Sequence, residues 1–358
     1  MALPLVYNSS CTHIKRLTLG RSVRVMDTGT HLAMGVALGG LATIDPAVQA
    51  DPVLFQAIMV GTLVGSHAPD FDTVLKLRNN ATYIRHHRGI THSIPAVIIW
   101  GLLISSIIYL FVPHVPFVHL WLWTFAAVIL HVVVDLFNAY GTQGLRPFSN
   151  RWIAFGFINT FDPVIFSLHI IGIGAWLLGA HPGYTWLIIY SILILYYVKR
   201  YLDKREIVNK IYGHFPTTTE VLTSPTWRQN EWRVAITTEN QFHVGTVDNG
   251  HITIVDTFGK KPLPKTEVIE KSKEDRNVSA FLSFSPMYRW ETVEYQSVTE
   301  VRFIDLRYRS KGHYPFVAVV KIDSQQQIVS SYTGWIFSEH KLQHKLRFND
   351  DDIITNSR

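Results

Sequence analysis

The sequence predicts a membrane α-helical bundle of four to six transmembrane helices, followed by a soluble, mostly-β domain at the C-terminal end. The composition of the 358-residue chain changes near residue 200, from long apolar runs to polar and charged segments. Lys and Arg are absent from residues 93–145 and 152–198, as expected for membrane hairpins with non-cytoplasmic turns. We therefore expect residues 26–200 to form the transmembrane domain and residues 211–358 the soluble domain.

Residues 1–25 read as an irregular, basic, cytoplasmic leader, because they lack an apolar stretch long enough for a secretory signal. Met26 precedes the segment DTGTHLAMG and resembles a chain start. Translation from Met26 is therefore an alternative to translation from Met1, and an N-terminal mass would distinguish them.

Composition excludes several classes of site. The single cysteine, Cys11, excludes an internal disulfide framework and a zinc site built from several cysteines. Any metal must therefore be bound by His, Asp or Glu. The formal net charge of +6 is small, and in a membrane protein an excess of Lys and Arg more often reflects the positive charge of the cytoplasmic loops than nucleic-acid binding. We therefore expect no nucleic-acid partner.

The first two apolar runs, residues 31–44 and 53–64, are shorter than the roughly 20 residues that a straight membrane-spanning helix needs. We expect short, tilted or half-buried helices here. Gly35, Gly39 and Gly40 are the expected points of close helix approach, because glycine lets two backbones come near each other.

The next apolar runs form two hairpins. Residues 94–112 and 117–137 have full spanning length, and residues 164–178 and 184–198 follow as a second pair. Basic residues collect at the opposite ends from the short turns, which places those ends and both termini in the cytoplasm. The chain is thus predicted to be a multi-pass protein of the cell membrane.

Beyond residue 210, short segments rich in Val, Ile, Thr and aromatic residues alternate with turn-like stretches. This pattern is typical of β-strands. The region carries no motif to which we can assign chemistry, and its aromatic residues are those of an ordinary half-buried sheet.

The chemistry-bearing residues concentrate in one polar segment and in the following long helix. The segment 65–93 contains six His and Asp residues: His67, Asp70, Asp72, His86, His87 and His92. His131 and Asp135 are spaced i, i+4, so that a helix places both on one face. An ionisable pair in an otherwise uncharged apolar helix is costly and therefore marks a functional site, although a polar stripe that pairs with other helices is the alternative.

Asp70 and Asp72 are separated by one residue and follow the helix-breaking Pro69. Two neighbouring carboxylates repel each other unless a cation neutralises them, which favours a metal. The alternative for Asp72 is a cap at the start of a helix near Thr73.

The motif HHRGITHS supplies three imidazoles in seven residues, and Gly89 is predicted to form the tight turn that brings His87 and His92 together. The guanidinium of Arg88 suits a phosphate group, and Thr91 and Ser93 are available as supporting donors or as caps for the helix starting near Ile94. An exposed basic loop is the alternative. His31, His67 and Asp162 are further candidates, each of which could equally be structural.

The predicted topology places these segments at the same, cytoplasmic, membrane face. Their order, with His31 first, then PDFD, HHRGITHS and HxxxD, resembles the YdjM-type family of bacterial inner-membrane proteins, described as predicted membrane-bound metal-dependent hydrolases. The resemblance covers roughly residues 26–200 and is greatest to the Bacillus YfhP-type members, which carry a soluble C-terminal extension.

The resemblance implies a metal site formed by seven residues: His31, Asp70, Asp72, His87, His92, His131 and Asp135. The HxxxD pair is also distantly similar to the zinc-binding helix of the phospholipase C and P1 nuclease group, which favours a phosphoester substrate.

Our first hypothesis is a membrane-bound hydrolase with one or two divalent ions, zinc being the expected metal. Water activated by the metal would attack a phosphoester or lipid-related substrate, assisted by Arg88, His86 or His67. Membrane lipids are the expected partners, and no feature of the sequence predicts an oligomeric state.

Two alternatives belong to other classes. One is a non-enzymatic sensor or scaffold whose metal site signals through the β domain. The other is a transporter that uses His131 and Asp135 as an ion relay, a hypothesis that is weakened because the ionisable residues collect at one face.

Overall fold

The computed structural model describes residues 19–295 and 297–346, with side chains from residue 28 onward. Residues 1–18 of the predicted leader lie outside the described residues. Residues 19–25, which were predicted to be irregular, form the first turns of a helix instead. The side chain of Met26, the alternative start, also lies outside the described part.

The N-terminal region is helical. Its α-helices are α1 (Leu19–Leu41), α2 (Pro46–Ala50), α3 (Pro52–Gly65), α4 (Asn80–His86), α5 (Ile94–Phe111), α6 (Phe117–Phe137), α7 (Pro163–Leu177) and α8 (Pro182–His214). Two stretches of 3₁₀-helix, Ala42–Ile44 and Ala68–Leu77, lie between them.

Four of these helices begin at a carboxylate or hydroxyl that accepts hydrogen bonds from the first turn. Asp45 caps α2, Asp51 caps α3, Ser93 caps α5 and Asp162 caps α7, and in each helix proline occupies one of the first two positions. Proline suits these positions because its missing N–H has no partner there. Asp162 also accepts a hydrogen bond from Tyr196 Oη at 2.8 Å, so this weaker metal candidate has a structural role.

Among the described residues, α5 and α6 are long and apolar enough to cross a membrane. Their mean hydropathies are 2.3 and 2.1, and only 17% and 33% of their residues are buried inside the protein. Apolar side chains such as Ile99 and Leu102 therefore face outward, as they do where lipid surrounds a helix. Two of the four to six predicted spans therefore have the length and composition of membrane helices, and the higher count stays a prediction.

The glycines of α1 lie at close helix contacts, as predicted. A Cβ atom added to Gly35 would lie 3.0 Å from both Leu63 Cα and Thr62 O of α3. A Cβ atom at Gly39 would contact Met59 of α3, and one at Gly40 would contact the indole of Trp186 in α8. Helix α1 is thus packed between α3 and α8.

Gly35→Leu is expected to destabilise the protein by about 1–3 kcal/mol, because the added side chain must push α1 away from the α3 backbone. Thermal unfolding in detergent measures the change. Gly174→Leu in α7 is the matched control, because nothing lies within 4 Å of a Cβ at Gly174. Equal melting temperatures for the two variants would contradict the close packing of α1 on α3.

Helix α8 continues through the interval left between the two predicted domains and ends at His214. Its buried Arg200 donates from Nη1 to the carbonyl oxygen of Gln229 at 2.6 Å, and its guanidinium lies 4.2 Å from the ring centre of Trp232. The membrane region and the first β-sheet are therefore joined by one continuous helix that contacts both.

The C-terminal region contains two four-stranded antiparallel sheets in which consecutive strands are neighbours. The first comprises β1 (Thr218–Pro225), β2 (Glu231–Thr238), β3 (Gln241–Asp248) and β4 (His251–Gly259). The second comprises β5 (Tyr288–Glu294), β6 (Val298–Asp305), β7 (Phe316–Asp323) and β8 (Ile328–Trp335). Helices α9 (Glu267–Glu274) and α10 (Arg276–Phe284), which the sequence analysis did not predict, lie between the sheets in sequence.

The second sheet packs against the membrane region. Ile84 of α4 and Tyr140, which follows α6, join a core cluster with Phe281 of α10 and Phe303 of β6. Asn80 also donates from Nδ2 to the carbonyl oxygen of Thr333 at 3.2 Å. The C-terminal sheet thus supports the polar segment in which most candidate site residues lie.

Candidate metal centre

The last turns of α6 place His131 and Asp135 on one face, both almost completely buried. His131 Nδ1 lies 2.7 Å from the carbonyl oxygen of Ser66, to which it donates a hydrogen bond. When the imidazole is neutral, this bond leaves the lone pair on Nε2, the atom that points toward Asp135. The predicted helix pair is therefore arranged as a pair of ligands.

The polar segment brings Asp70 and His92 to the same point. Asp135 Oδ2 lies 3.3 Å from His92 Nε2 and 3.6 Å from His131 Nε2. Asp70 Oδ1 lies 3.7 Å from His92 Nε2 and 3.8 Å from His131 Nε2. Four ligand-type atoms from three separate segments thus face one another.

These four atoms fit a divalent metal. Asp70 Oδ1, His92 Nε2, His131 Nε2 and Asp135 Oδ2 are buried and lack a hydrogen-bond partner among the described residues. Buried polar atoms without partners are costly, and so many in one place need an explanation. Two imidazoles and two carboxylates within 4.8 Å of one another are a donor set for zinc or a similar ion.

His31 reaches the same place from α1. Its Nε2 atom lies 3.8 Å from Asp135 Oδ1, and its ring stacks on that of His131 with centroids 4.1 Å apart. The side chain is buried. His31 therefore borders the group of four, and direct metal ligation by His31 stays a prediction.

Asp72 and His87 form a second group with Asp70, in which Asp72 already has partners. Its Oδ1 lies 2.7 Å from His87 Nδ1, and its Oδ2 accepts hydrogen bonds from the Thr91 hydroxyl at 2.8 Å and from Arg88 N at 3.2 Å. The alternative of a helix cap is wrong, because all these bonds go to residues 87–91. These contacts give Asp72 a supporting role, and direct metal ligation by Asp72 and His87 stays a prediction.

Arg88 lies beside the group of four. Its backbone has φ 58°, a left-handed conformation that is unfavourable for arginine, and this is where the chain turns rather than at Gly89 as predicted. The turn is held because Arg88 N donates to Asp72, Arg88 O accepts from Gln143 N, and Nη2 lies 3.1 Å from Asp135 Oδ1. Gly89 serves close packing instead, since a Cβ there would lie 2.9 Å from His86 O.

The structure does not bring the other two predicted catalytic histidines into either group. His67 Nδ1 lies 3.1 Å from Leu63 O and its Nε2 lies 3.2 Å from Thr28 O, so backbone carbonyls bind this ring. The His67 ring packs edge-on against His31 at 6.5 Å. His86 ends α4 and is half-buried. Catalytic roles for both residues stay predictions.

The electrostatics of the polar segment favour metal binding. Burial lowers the pKa of His92, which keeps its imidazole neutral at neutral pH. Burial would raise the pKa of Asp70, but the neighbouring His131 and Arg88 hold it well below its usual value. Both residues are therefore in the protonation state that a metal ligand requires.

Asp70 marks the more open side of the group of four. Its side chain is 27% exposed, whereas those of His92, His131 and Asp135 are at most 2% exposed. Phe71, next to Asp70, is 51% exposed and packs edge-on against Trp100 of α5.

Sequence reasoning missed one support of the site. The Ser66 carbonyl that orients His131 is a backbone group, so no residue type indicates it. Thr91, which was expected as a supporting donor or a helix cap, lies 3.1 Å from His92 Nδ1 and donates to Asp72, so it links the PDFD and HHRGITHS motifs. Ser93 is the cap of α5.

Asp72→Asn is expected to weaken metal binding by about 10- to 100-fold, because it disturbs the partner that orients His87 and the loop carrying His92. Competition with a chelator of known affinity measures the change in detergent. His86→Gln is the control and should bind metal like the wild type. Unchanged affinity in Asp72→Asn would contradict the supporting role.

Three family descriptions match successive parts of the chain. The family described as YdjM inner membrane protein matches residues 26–207, the YfhP middle domain matches residues 216–258, and the YfhP C-terminal alpha/beta plait domain matches residues 267–346. The uncharacterized protein YfhP of Bacillus subtilis (strain 168) is 56% identical over 323 residues, which cover 90% of this chain and 99% of that protein. No solved structure matches the chain.

Proposed function

Since the chain belongs to the YdjM inner membrane protein family, we propose that it is a membrane-bound, metal-dependent hydrolase that cleaves a phosphoester or lipid-related substrate at the cytoplasmic membrane face. One observation carries the proposal. The buried atoms Asp70 Oδ1, His92 Nε2, His131 Nε2 and Asp135 Oδ2 face one another without hydrogen-bond partners among the described residues.

These four residues would hold the ion, with His31 as a further ligand, and zinc suits the mixture of imidazole and carboxylate. A divalent ion bound there supplies Lewis acidity and activates water for hydrolysis. The protein fixes the ligands in advance: Ser66 orients the ring of His131, and Asn138 donates from Nδ2 to Asp135 Oδ1 at 3.3 Å. Such supports keep the ligand set in one geometry.

Arg88 contributes the charge that an anionic substrate needs. Its Nη2 atom lies 3.1 Å from Asp135 Oδ1, so a guanidinium group borders the ligand set. A phosphoester group next to the ligands would be attracted by this charge, and its non-bridging oxygens match the planar guanidinium. Assistance by His67 or His86 would require these rings to act from outside the group of four.

The surroundings of the open side favour a lipid-related substrate. Phe71, Val74 and Leu77 of the 3₁₀ segment are 51%, 61% and 87% exposed, and the same short segment carries Lys76. Exposed apolar side chains mixed with basic ones suit the boundary between lipid tails and headgroups. A headgroup could then approach Asp70 without leaving the membrane surface.

The topology that we infer contains six spans, with α1, α3, α7 and α8 crossing beside α5 and α6. Helices α7 and α8 carry outward-facing apolar residues such as Ile171, Leu195 and Val198, which support this count. The turns between α5 and α6 and between α7 and α8 contain no Lys or Arg, which supports cytoplasmic termini.

Hydrolysis is the direct test. Detergent-purified wild type should release phosphate from p-nitrophenyl phosphate or from phosphatidic acid in mixed micelles. Treatment with a chelator should abolish the activity and added zinc should restore it. Arg88→Gln should lower turnover about 100-fold or more, as the removal of a stabilising charged donor commonly does. Metal-loaded protein that cleaves none of a broad set of phosphoesters and lipids would contradict the proposal.

A second candidate, a metal sensor, is favoured by one connection. Asn138 contacts Asp135 and accepts hydrogen bonds from Tyr140 N and Gly141 N at 2.9 Å, while the Tyr140 ring stacks on Tyr308 with centroids 5.3 Å apart. A change at Asp135 can therefore be passed to the C-terminal sheet. Hydrogen exchange distinguishes the candidates: a sensor should show altered protection in β5–β8 when metal is removed, with no turnover.

A further inference from the structure

A cavity of about 540 Å³ lies at the junction of the membrane region and both sheets. Its walls come from the loop after α6, from α8, from β1 and β2, from the end of α10 and from the residues after β6. Gly156 brings the loop onto β1, because Thr223 Oγ1 donates to its carbonyl at 2.7 Å and a Cβ would lie 2.4 Å from Thr223 O. A volume of roughly 300–1,000 Å³ is typical of small-molecule sites.

The lining of this junction cavity is strongly cationic. Arg151, Lys204, Arg233 and Arg307 line it, against a single acidic lining residue, Glu220. Arg307 is neutralised by Asp305, whose Oδ2 lies 2.7 Å from Nη2. The other three cations exceed the one carboxylate, so the cavity has an uncompensated positive charge.

These three cations lack acidic partners within the described part of the chain. The side chains of Arg151 and Arg233 form no ion pair there and are exposed at the cavity. Lys204 donates from Nζ to the carbonyl oxygen of Phe155 at 2.5 Å, and burial lowers the pKa of its ammonium group. No carboxylate therefore neutralises these three side chains, and each of them can bind an anion in the cavity.

Aromatic side chains form the remaining wall. Tyr140 and Tyr308 line the cavity and stack on each other, and Trp152 lines it with a buried Nε1 that has no hydrogen-bond partner among the described residues. An indole N–H donates only, so its missing partner is an acceptor. A ligand rich in acceptor oxygens would satisfy this group and the three cations together.

We propose that the junction cavity is a second ligand site, separate from the metal centre, which binds the phosphate group of an anionic ligand. The ligand is either the headgroup of a membrane phospholipid or a soluble phosphorylated compound. Phosphate oxygens accept from guanidinium, ammonium and indole donors, which is the donor set that the cavity offers.

Both sources of phosphate are compatible with the position of the site. Phe155, a lining residue, is 45% exposed, and Phe148 in the same loop is 86% exposed. Exposed aromatic side chains next to basic residues suit contact with a membrane surface. The open side among Arg151, Arg233 and Glu220 would equally admit a soluble compound.

Binding to the full chain tests the site, with two probes that distinguish the sources. Inorganic pyrophosphate, titrated into detergent-purified protein, represents the soluble ligand. Nanodiscs of phosphatidylcholine with and without phosphatidic acid represent the headgroup. The double variant Arg151→Gln/Arg233→Gln should bind the effective probe about tenfold or more weakly, because two charge-assisted contacts are lost.

The matched control is Arg205→Gln/Arg228→Gln, which removes two exposed positive charges outside the cavity. It should bind like the wild type, as should His131→Ala, whose altered metal centre lies elsewhere. The site is supported if the wild type binds one of the probes and the Arg151→Gln/Arg233→Gln variant does not. The site is overturned if the wild type binds neither probe, if the control variant binds as weakly as the double variant, or if His131→Ala loses binding. None of these results bears on whether the metal centre binds metal.

Discussion

His131→Ala is expected to lose the bound metal, with an affinity at least about 100-fold below that of the wild type, because removal of a direct ligand exceeds the cost of losing a supporting residue. His131 Nε2 faces both Asp70 Oδ1 and Asp135 Oδ2, at 3.8 and 3.6 Å. Alanine removes this nitrogen and leaves two carboxylates that repel each other. Elemental analysis of detergent-purified protein, under non-chelating conditions, measures the bound metal.

Asp70→Ala should lose metal as well, although Asp70 and His131 are 61 positions apart in the sequence. His119→Ala is the matched control: it makes the same substitution on the same helix, at a side chain that pairs with Asp45 at 2.5 Å and takes no part in the centre. The control should keep its metal. A wild type without metal, or two site variants that retain it, would remove the basis of the metal centre.

Asp135→Asn is expected to lower the free energy of unfolding by about 3–5 kcal/mol, because it removes a buried carboxylate that lies against the Arg88 guanidinium. Arg88 Nη2 lies 3.1 Å from Asp135 Oδ1, and both side chains are almost inaccessible. Asparagine has nearly the same shape, so packing changes little and the charge accounts for the effect. Thermal unfolding of metal-stripped protein in detergent measures this contribution apart from metal binding.

A double variant separates charge from ligation. Arg88→Met/Asp135→Leu removes both charges and should recover most of the stability lost in Asp135→Asn, since a buried pair can often be replaced by apolar residues. It should still fail to bind metal, because a ligand is missing. If Asp135→Asn unfolds at the wild-type temperature, the Arg88–Asp135 contact is not a buried ion pair of this kind.

The sequence by itself determined the long apolar helices, the C-terminal strands and the composition of the site. Apolar runs identified α5 and α6, and the alternation of Val, Ile and Thr identified the C-terminal strands, because helix and strand periodicities are local properties. The i, i+4 spacing placed His131 and Asp135 on one face for the same reason. The close contacts at Gly35 and Gly40 also followed from composition.

Sequence reasoning failed where the outcome depended on a distant partner. The chain turns at Arg88 instead of Gly89 because Asp72, Asp135 and Gln143 all bind Arg88. Asp72 forms contacts with the loop 87–91 instead of capping a helix. Local propensity gives no information on such contacts.

Only the tertiary structure decided which ligand atoms converge and what holds them there. Of the seven residues predicted for the metal site, it gathered four at one point, Asp70, His92, His131 and Asp135, and placed His31 at their edge. It also packed the C-terminal sheet beneath the polar segment and enclosed the cationic junction cavity. The physical reason is that convergence depends on contacts between residues far apart in the chain, whereas sequence patterns report only neighbours.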